Sequence, residues 1–427
     1  MKKLNVPFFR PDLGEAEIEE VVAALRSGWL TTGPRVKALE QEFAAATGAP
    51  HAIAVNSGTA ALHLAVEALG LRAGQGVLVP TMTFAATAEV VRYLGAVPIL
   101  VDCDPVTLNM SIEDADRKVS DLRRGNLPGS LSSKMEICGA MPVHVGGFLM
   151  DMDALSAWTL DQRLWVVEDA AHAFPAAWRP GFGGPWRRCG EKTADVSSFS
   201  FYANKTMTTG EGGMAVTADP VLADRMRLMS LHGLSHDAWE RYSGGMSWDY
   251  RIVAPGFKYN LTDVAGALGL VQLGRAEEMR RRREAVAERY LAEFAGVEEI
   301  ELPPWSANRI HSWHLFPVKL RLSMLTIDRN QFVDELREAG IGCSVHWRPL
   351  HLHPYYQETF GWRPSDFPVA TAVWQRLVSL PIFPGMTEEE VEYVVRVVRD
   401  LCAAHRKVSA SSDIARPASY VRQPEGT

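Results

Sequence analysis

The sequence predicts an α/β fold, a mostly parallel sheet covered by helices on both faces, followed by a smaller α+β unit. Two observations predict it. Up to about Leu261, short apolar runs bounded by Asn, Ser, Gly or Pro alternate with stretches of helical periodicity. Beyond that point the texture changes to one long helical stretch and then to shorter mixed elements. Apolar runs of this kind, with helices between them, fit strands buried on both faces, as in a parallel sheet.

Helical periodicity runs from Glu15 to Leu25, ending near Ser27-Gly28, and again from Val36 to Ala46, closing at Gly48. Ala52–Val55 is the first apolar run and ends in Asn56-Ser57-Gly58. A helix is predicted over Thr59–Leu69, a strand at Val77–Val79 before Pro80, and a helix over Ala85–Tyr93. Further strands are predicted at Val97–Val101, Met141–Val145, Leu164–Val167, Val196–Phe199 and Met214–Thr217. Arg117–Glu136 and Trp178–Thr193, rich in Gly, Pro, Ser and charge, read as surface loops. A long helix crosses Ala265–Phe294, and its run Arg280–Arg283 reads as a solvated face. Leu315–Leu320, the helix Asp328–Ala339, Val345-His346 and the helix Glu388–Leu401 complete the second unit. The resulting division is a segment 1–29 packing back on the smaller unit, a large domain 30–265, a small domain 266–406, and a tail 407–427. That tail, rich in Ser, Pro and Ala, reads as disordered.

Composition excludes several function classes. With 427 residues, 47% hydrophobic and 22% charged, the chain has room for a substantial core. A net charge of -7 without a basic stripe argues against nucleic-acid binding. The five cysteines are odd in number, widely spaced and form no CxxC pair, which points to a reducing compartment and to no metal site. Lys2 and Lys3 are followed by Pro7 and Pro11 rather than an apolar segment, so no signal peptide is read. No apolar run is long enough to span a membrane. A cytoplasmic location is the expectation.

Ligands of parallel α/β sheets sit beyond the carboxyl ends of the strands. After the first strand, Ser57-Gly58-Thr59 offers a hydroxyl and free backbone N–H groups, either an anion cradle or a plain helix cap. After Leu164–Val167 come Glu168-Asp169-Ala170-Ala171-His172. Acids there are costly to desolvate unless their charge is used. Asp169 could hold a pyridine-type nitrogen protonated, or cap a helix. After Val196–Phe201 comes Tyr202-Ala203-Asn204-Lys205, ahead of the turn Gly210-Glu211-Gly212-Gly213. Lys205 is either a surface lysine or a partly desolvated amine able to form a Schiff base. Taken together, the three strand ends supply phosphate donors, a ring acid and an amine.

These segments resemble the fold-type-I pyridoxal-phosphate enzymes. More narrowly they resemble the DegT/DnrJ/EryC1/StrS group of sugar aminotransferases, matched also by Thr31-Thr32-Gly33-Pro34, His144-Val145-Gly146-Gly147 with Asp151-Met152, and Gly256-Phe257-Lys258-Tyr259-Asn260. Val345-His346-Trp347-Arg348-Pro349-Leu350-His351 and Leu380-Pro381-Ile382-Phe383-Pro384 complete a similarity over roughly residues 7 to 402. The resemblance implies a seven-stranded sheet in the large domain and pyridoxal 5'-phosphate as cofactor. It gives Lys205 the role of Schiff-base lysine and proton shuttle, and it pairs Asp169 with the pyridine nitrogen. His172 would approach the ring hydroxyl, Gly58, Thr59 and Ser200 would hold the phosphate, and Phe84 would stack on the ring. Lys258 and Asn260 would reach the phosphate of the other subunit of a homodimer with composite sites.

Thr32, His346 and His351 are candidate substrate contacts, the two histidines having ordinary surface or interdomain positions as their alternative; His311 and His314 are weaker candidates. The resemblance further implies small-molecule substrates: an amino-acid donor, expected to be L-glutamate, and a nucleotide-linked keto sugar, expected to be a 4-keto sugar from the form of the Gly256–Asn260 segment. A keto-cyclitol acceptor shares every motif. A dehydratase relative would carry histidine in place of Lys205, and a non-catalytic sensor would not need the full set. Arg117–Glu136 and Trp178–Thr193 are longer than the group's pattern and would reshape the mouth of the site.

Overall fold

A computed structural model describes residues 3–126, 131, 135–181, 183–234 and 251–407. Apart from Lys407, whose N–H donates to Met324 O at 2.8 Å, the expected disordered tail lies outside these residues, as do parts of both expected loops. The main sheet has seven strands: β1 (His51–Val55), β2 (Gly76–Pro80), β3 (Val97–Val101), β4 (Ile137–Ala140), β5 (Trp165–Asp169), β6 (Val196–Ser200) and β7 (Gly213–Thr217). Their spatial order is β1-β7-β6-β5-β4-β2-β3, and β7 alone runs against the rest. Almost every strand residue is buried, as expected when helices cover both faces.

The Met141–Val145 run is not a strand. Met141 N–H still reaches Leu78 O at 2.8 Å, but Pro142 has no N–H to continue the ladder, so β4 ends at Ala140 and the buried run keeps only an isolated bridge, Val143 to Asp169 of β5, with Asp169 N–H donating to Pro142 O at 2.9 Å. Arg117–Glu136 is not all loop either. A helix, Ile112–Arg124, runs through its first part, capped by the Ser111 hydroxyl accepting from Asp114 N–H. Its buried residues Ala115, Lys118, Val119 and Leu122 keep helical spacing, which the dense surrounding charge conceals. In the other expected loop, Ala177–Trp178 pairs with Arg187–Arg188 and with the distant Arg309–Ile310 as a three-stranded sheet.

A second sheet, antiparallel, joins Ile300–Glu301, Phe316–Leu320 and Leu377–Leu380. The helix Asp263–Phe294 links the two parts. Ala276 and Met279 pack in the large core, while Val286, Ala287, Tyr290 and Phe294 pack in the smaller one with Val6, Phe316, Phe332 and Val394. Residues from Leu350 to Val373, though late in the chain, also pack in the large core. The solvated-face reading of Arg280–Arg283 is corrected, because successive residues of a helix turn by about 100° and cannot share a face. Arg280 and Arg283 are buried, Arg283 Nη1 donating to Ile382 O at 2.8 Å, while Arg281 and Arg282 are exposed.

Candidate active site

The strand ends converge as the sequence implies. At the end of β1, Ser57 caps the buried helix Gly58–Ala68, its Oγ accepting from Ala60 N–H at 3.0 Å. The N–H groups of Gly58 and Thr59, in the first turn, are left with no partner within the helix. Small residues are required here. A Cβ on Gly58 would meet Ser200 Cβ at 2.9 Å, and one on Gly213 would meet Ser57 O at 2.4 Å. The end of β6 is thus pressed against this helix start, which brings Ser200 beside Gly58.

At the end of β5, Glu168 and Asp169 point to opposite faces, as alternate residues of a strand must. Asp169 is buried; its Oδ2 accepts from Thr87 Oγ1 at 2.7 Å and its Oδ1 from Ala171 N–H at 3.2 Å. Because the Thr87 proton is committed to the carboxylate, Thr83 is left to donate to Thr87 Oγ1, 2.8 Å away. Burial raises the Asp169 pKa, opposed by these hydrogen bonds and by the charge of Lys205. Such a carboxylate stays ionised best beside a cation. Burial lowers the half-buried Lys205 amine to about 8, against the pull of Asp169.

Sequence reasoning missed Thr87. Its signal was the spacing of Thr83 and Thr87, which places both hydroxyls on one side of a turn just after β2.

Glu168 turns into a buried cluster instead. It accepts from Ser197 Oγ and from Thr193 Oγ1 at 2.9 Å, with Cys189 Sγ at 3.9 Å and His144 Nε2 at 3.6 Å. His144, Glu168 and Cys189 are grouped closely enough for a metal ion. However, His144 Nδ1 accepts from Met150 N–H at 3.2 Å, which leaves the proton on Nε2, facing Glu168. A protonated nitrogen is no ligand, so the group reads as a structural hydrogen-bond cluster.

His172 is buried and neutral, its pKa driven well below the ordinary value by burial, then by Lys205 and His346. Gly146 N–H donates to its Nδ1 at 3.3 Å, so Nε2 carries the proton. The His314 and Trp347 rings pack on it at 4.2 Å and 5.2 Å, and Ser312 Oγ donates to its carbonyl at 2.5 Å. His346, half-buried, is lowered to about 4 by burial and by Lys205, and its Nδ1 lies 3.0 Å from Ser379 Oγ. Phe84 is 63% exposed beside the Thr83–Thr87 turn.

Two groups of expected residues lie apart. Lys258 Nζ donates to Asn260 Oδ1 at 2.6 Å, Asn260 Nδ2 to Thr32 Oγ1 at 2.8 Å, and Thr32 Oγ1 to Leu261 O at 2.5 Å. Asn260 is bridged to Val55 at the end of β1, but among the described residues no hydrogen bond ties this trio to Lys205 or Asp169. The expectation for His351 is overturned: it is fully buried, with Nδ1 at 2.7 Å from Thr81 Oγ1 and Nε2 at 2.9 Å from Thr371 Oγ1. With both ring nitrogens committed inside the core, it has nothing left to offer a substrate.

The residues present fit pyridoxal phosphate. A cradle that a Cβ would fill carries N–H groups that could take a phosphate, a buried carboxylate could pair with a ring nitrogen, and the lowered amine of Lys205 is electrostatically coupled to that carboxylate.

The sequence model of the DegT/DnrJ/EryC1/StrS aminotransferase family matches residues 11–399. The spore coat polysaccharide biosynthesis protein SpsC of Bacillus subtilis is 40% identical over 397 residues, covering 93% of this chain and 97% of its own. Spr1654 of Streptococcus pneumoniae, a candidate sugar aminotransferase solved in PLP and PMP forms, is 32% identical with a TM-score of 0.83, covering 94% of this chain and at least 98% of its own. The sugar aminotransferase CalS13 of Micromonospora echinospora is 31% identical with a TM-score of 0.77, over 92% of this chain and 99% of its own.

Proposed function

The chain belongs to the DegT/DnrJ/EryC1/StrS aminotransferase family, and from that premise we propose that it transfers an amino group from L-glutamate to a nucleotide-linked 4-keto sugar. The observation that carries the reading is the convergence of Lys205, Asp169 and the Ser57–Thr59 helix start at neighbouring strand ends. Relatives named for sugar amination and for polysaccharide biosynthesis support the acceptor class.

Pyridoxal phosphate, when bound, supplies an electron sink for charge developing on the substrate carbon. The protein supplies the rest. Gly58 and Thr59 N–H groups, with Ser200, bind the phosphate. Asp169, aligned by Thr87, holds the ring nitrogen protonated. His172 would offer its Nε2–H to the ring oxygen, and Phe84 would cover the ring. Lys205 Nζ holds the cofactor, then takes the proton from the donor's α-carbon and returns one to the acceptor carbon. An amine near pKa 8 exchanges protons efficiently close to neutral pH.

Lys258 and Asn260, at an edge flanked by the exposed Ile252 and Val253, would complete the phosphate site of a second copy in a homodimer. The experiment is a panel of nucleotide-linked keto sugars and keto-cyclitols incubated with glutamate and scored by the mass of the amino product. Product from 4-keto sugar nucleotides supports the reading; product from cyclitols alone overturns it. Borohydride reduction of cofactor-loaded protein is expected to label Lys205, and label elsewhere would remove the basis of the assignment.

A further inference from the structure

The small unit faces Lys205 with a wall of rings drawn from segments far apart in the chain. His314 packs on His172 at 4.2 Å, and His172 stacks on Trp347 at 5.2 Å and 19°. Trp347 meets His346 edge-on at 5.8 Å, and His346 stacks on Phe8 at 5.5 Å and 24°. Phe8, at the outer end, belongs to the N-terminal segment and has no part in the chemistry above.

Its position is built. Val6 is fully buried in the small core, its N–H donating to Gly340 O at 2.9 Å and its carbonyl accepting from Gly342 N–H at 2.8 Å. The segment then runs so close to Gly342 that a Cβ there would meet Phe8 N at 2.4 Å. Beyond Phe8, Arg10 ties the segment down by an ion pair to Glu390 at 2.9 Å and by lying over the Phe383 ring. His346 is therefore held on two sides, by Ser379 Oγ at Nδ1 and by the Phe8 ring on its face. A hydrogen bond at one nitrogen fixes an imidazole's position but leaves it free to rock about that bond; a stacked ring removes this freedom.

We propose that Phe8 is a specificity-determining positioning residue, whose stack on His346 fixes the imidazole that the keto-sugar acceptor meets. The inference rests on the sugar-aminotransferase reading and deepens it by assigning acceptor recognition to the N-terminal segment. The amino donor reacts at Lys205 and the cofactor and does not depend on this contact. Phe8 therefore acts on one half of the reaction.

The two half-reactions separate cleanly in holoenzyme by following cofactor absorbance with glutamate alone and then with the keto sugar alone. Phe8→Ala, and Phe8→Leu, which keeps apolar bulk without a ring, are expected to raise the acceptor KM about three- to tenfold, in line with the loss of one aromatic pair. Phe8→Tyr restores it, and the glutamate half-reaction stays within about twofold of wild type in all three. If Phe8→Ala does not fold, the Leu and Tyr variants carry the test. An unchanged acceptor KM in Phe8→Leu, or a loss falling equally on both halves, overturns the proposal.

A second measurement separates it from the functional reading. In apoprotein carrying 13C-labelled histidine, assigned with His346→Gln, the His346 signal is expected to move in Phe8→Leu and to return in Phe8→Tyr. A signal that stays in place overturns the positional link whatever the kinetics. Wild-type protein that aminates no keto sugar, with a His346 signal that does move, sinks the functional reading alone.

Discussion

The two sides of the site are built on opposite plans. On the large-domain side, each functional group sits at the end of a strand whose neighbours are hydrogen-bonded along its length, so its position follows from the sheet. Asp169, Ser200 and the Ser57–Thr59 turn are of this kind. On the small-unit side no single element sets the geometry. Phe8, Ser312, His314, His346 and Trp347 come from three separate segments, each with backbone anchors of its own, and their rings meet one another directly or through His172. Chemistry is thereby placed on one sheet and recognition on rings assembled from separate segments.

The comparison predicts that damage to the sheet edge abolishes reaction with every substrate, whereas damage to the wall changes which acceptor is used. The largest effect is expected for Lys205→Ala: turnover falls by about 10⁴-fold or more with an unchanged far-ultraviolet circular dichroism spectrum. Asp169→Asn comes next, with kcat in both half-reactions reduced about 10²- to 10³-fold.

The same pair makes a pH prediction. Covalent capture of pyridoxal phosphate by apoprotein requires the neutral Lys205 amine. Its rate is expected to rise about tenfold per pH unit up to about 8 and then level off. Asp169 holds the Lys205 pKa up, so Asp169→Asn should move that midpoint to lower pH. Thr87→Val removes the hydrogen bond that aligns the carboxylate and should cost roughly tenfold in kcat with little change in acceptor KM. The smallest functional effect belongs to His351→Phe. It takes away the acceptor of the buried Thr81 hydroxyl, Thr371 keeping its bond to Pro364 O, and should lower stability by about 1–3 kcal/mol in thermal or urea unfolding, while kcat/KM stays within about twofold.

This division also explains what could be read from the sequence. Lys205, Asp169 and the Ser57–Thr59 turn were legible because apolar runs announce strand ends, and polar residues directly after them are conspicuous. His351 misled because a histidine near the end of a recognised motif gives no sign of its burial; the two threonines that satisfy it come from elsewhere in the chain. Thr87 was hidden among the small residues of a helix start. The helix Ile112–Arg124 was hidden by charge, and the break at Pro142 by the apolar run around it. Phe8 and His314 could not be paired with His346 and His172 at all, because spacing along the chain carries no information about rings brought together by tertiary packing.

The helix Asp263–Phe294 has a consequence for how the two halves respond to each other. At 32 residues it is a shaft about 48 Å long, seated in one core by its early turns and in the other by its late ones. Swinging the two halves apart like a clamshell would have to bend that shaft or lift its side chains out of one core. The two cores are thereby geared to a single axle, so a change that unseats it from either one is carried to the other.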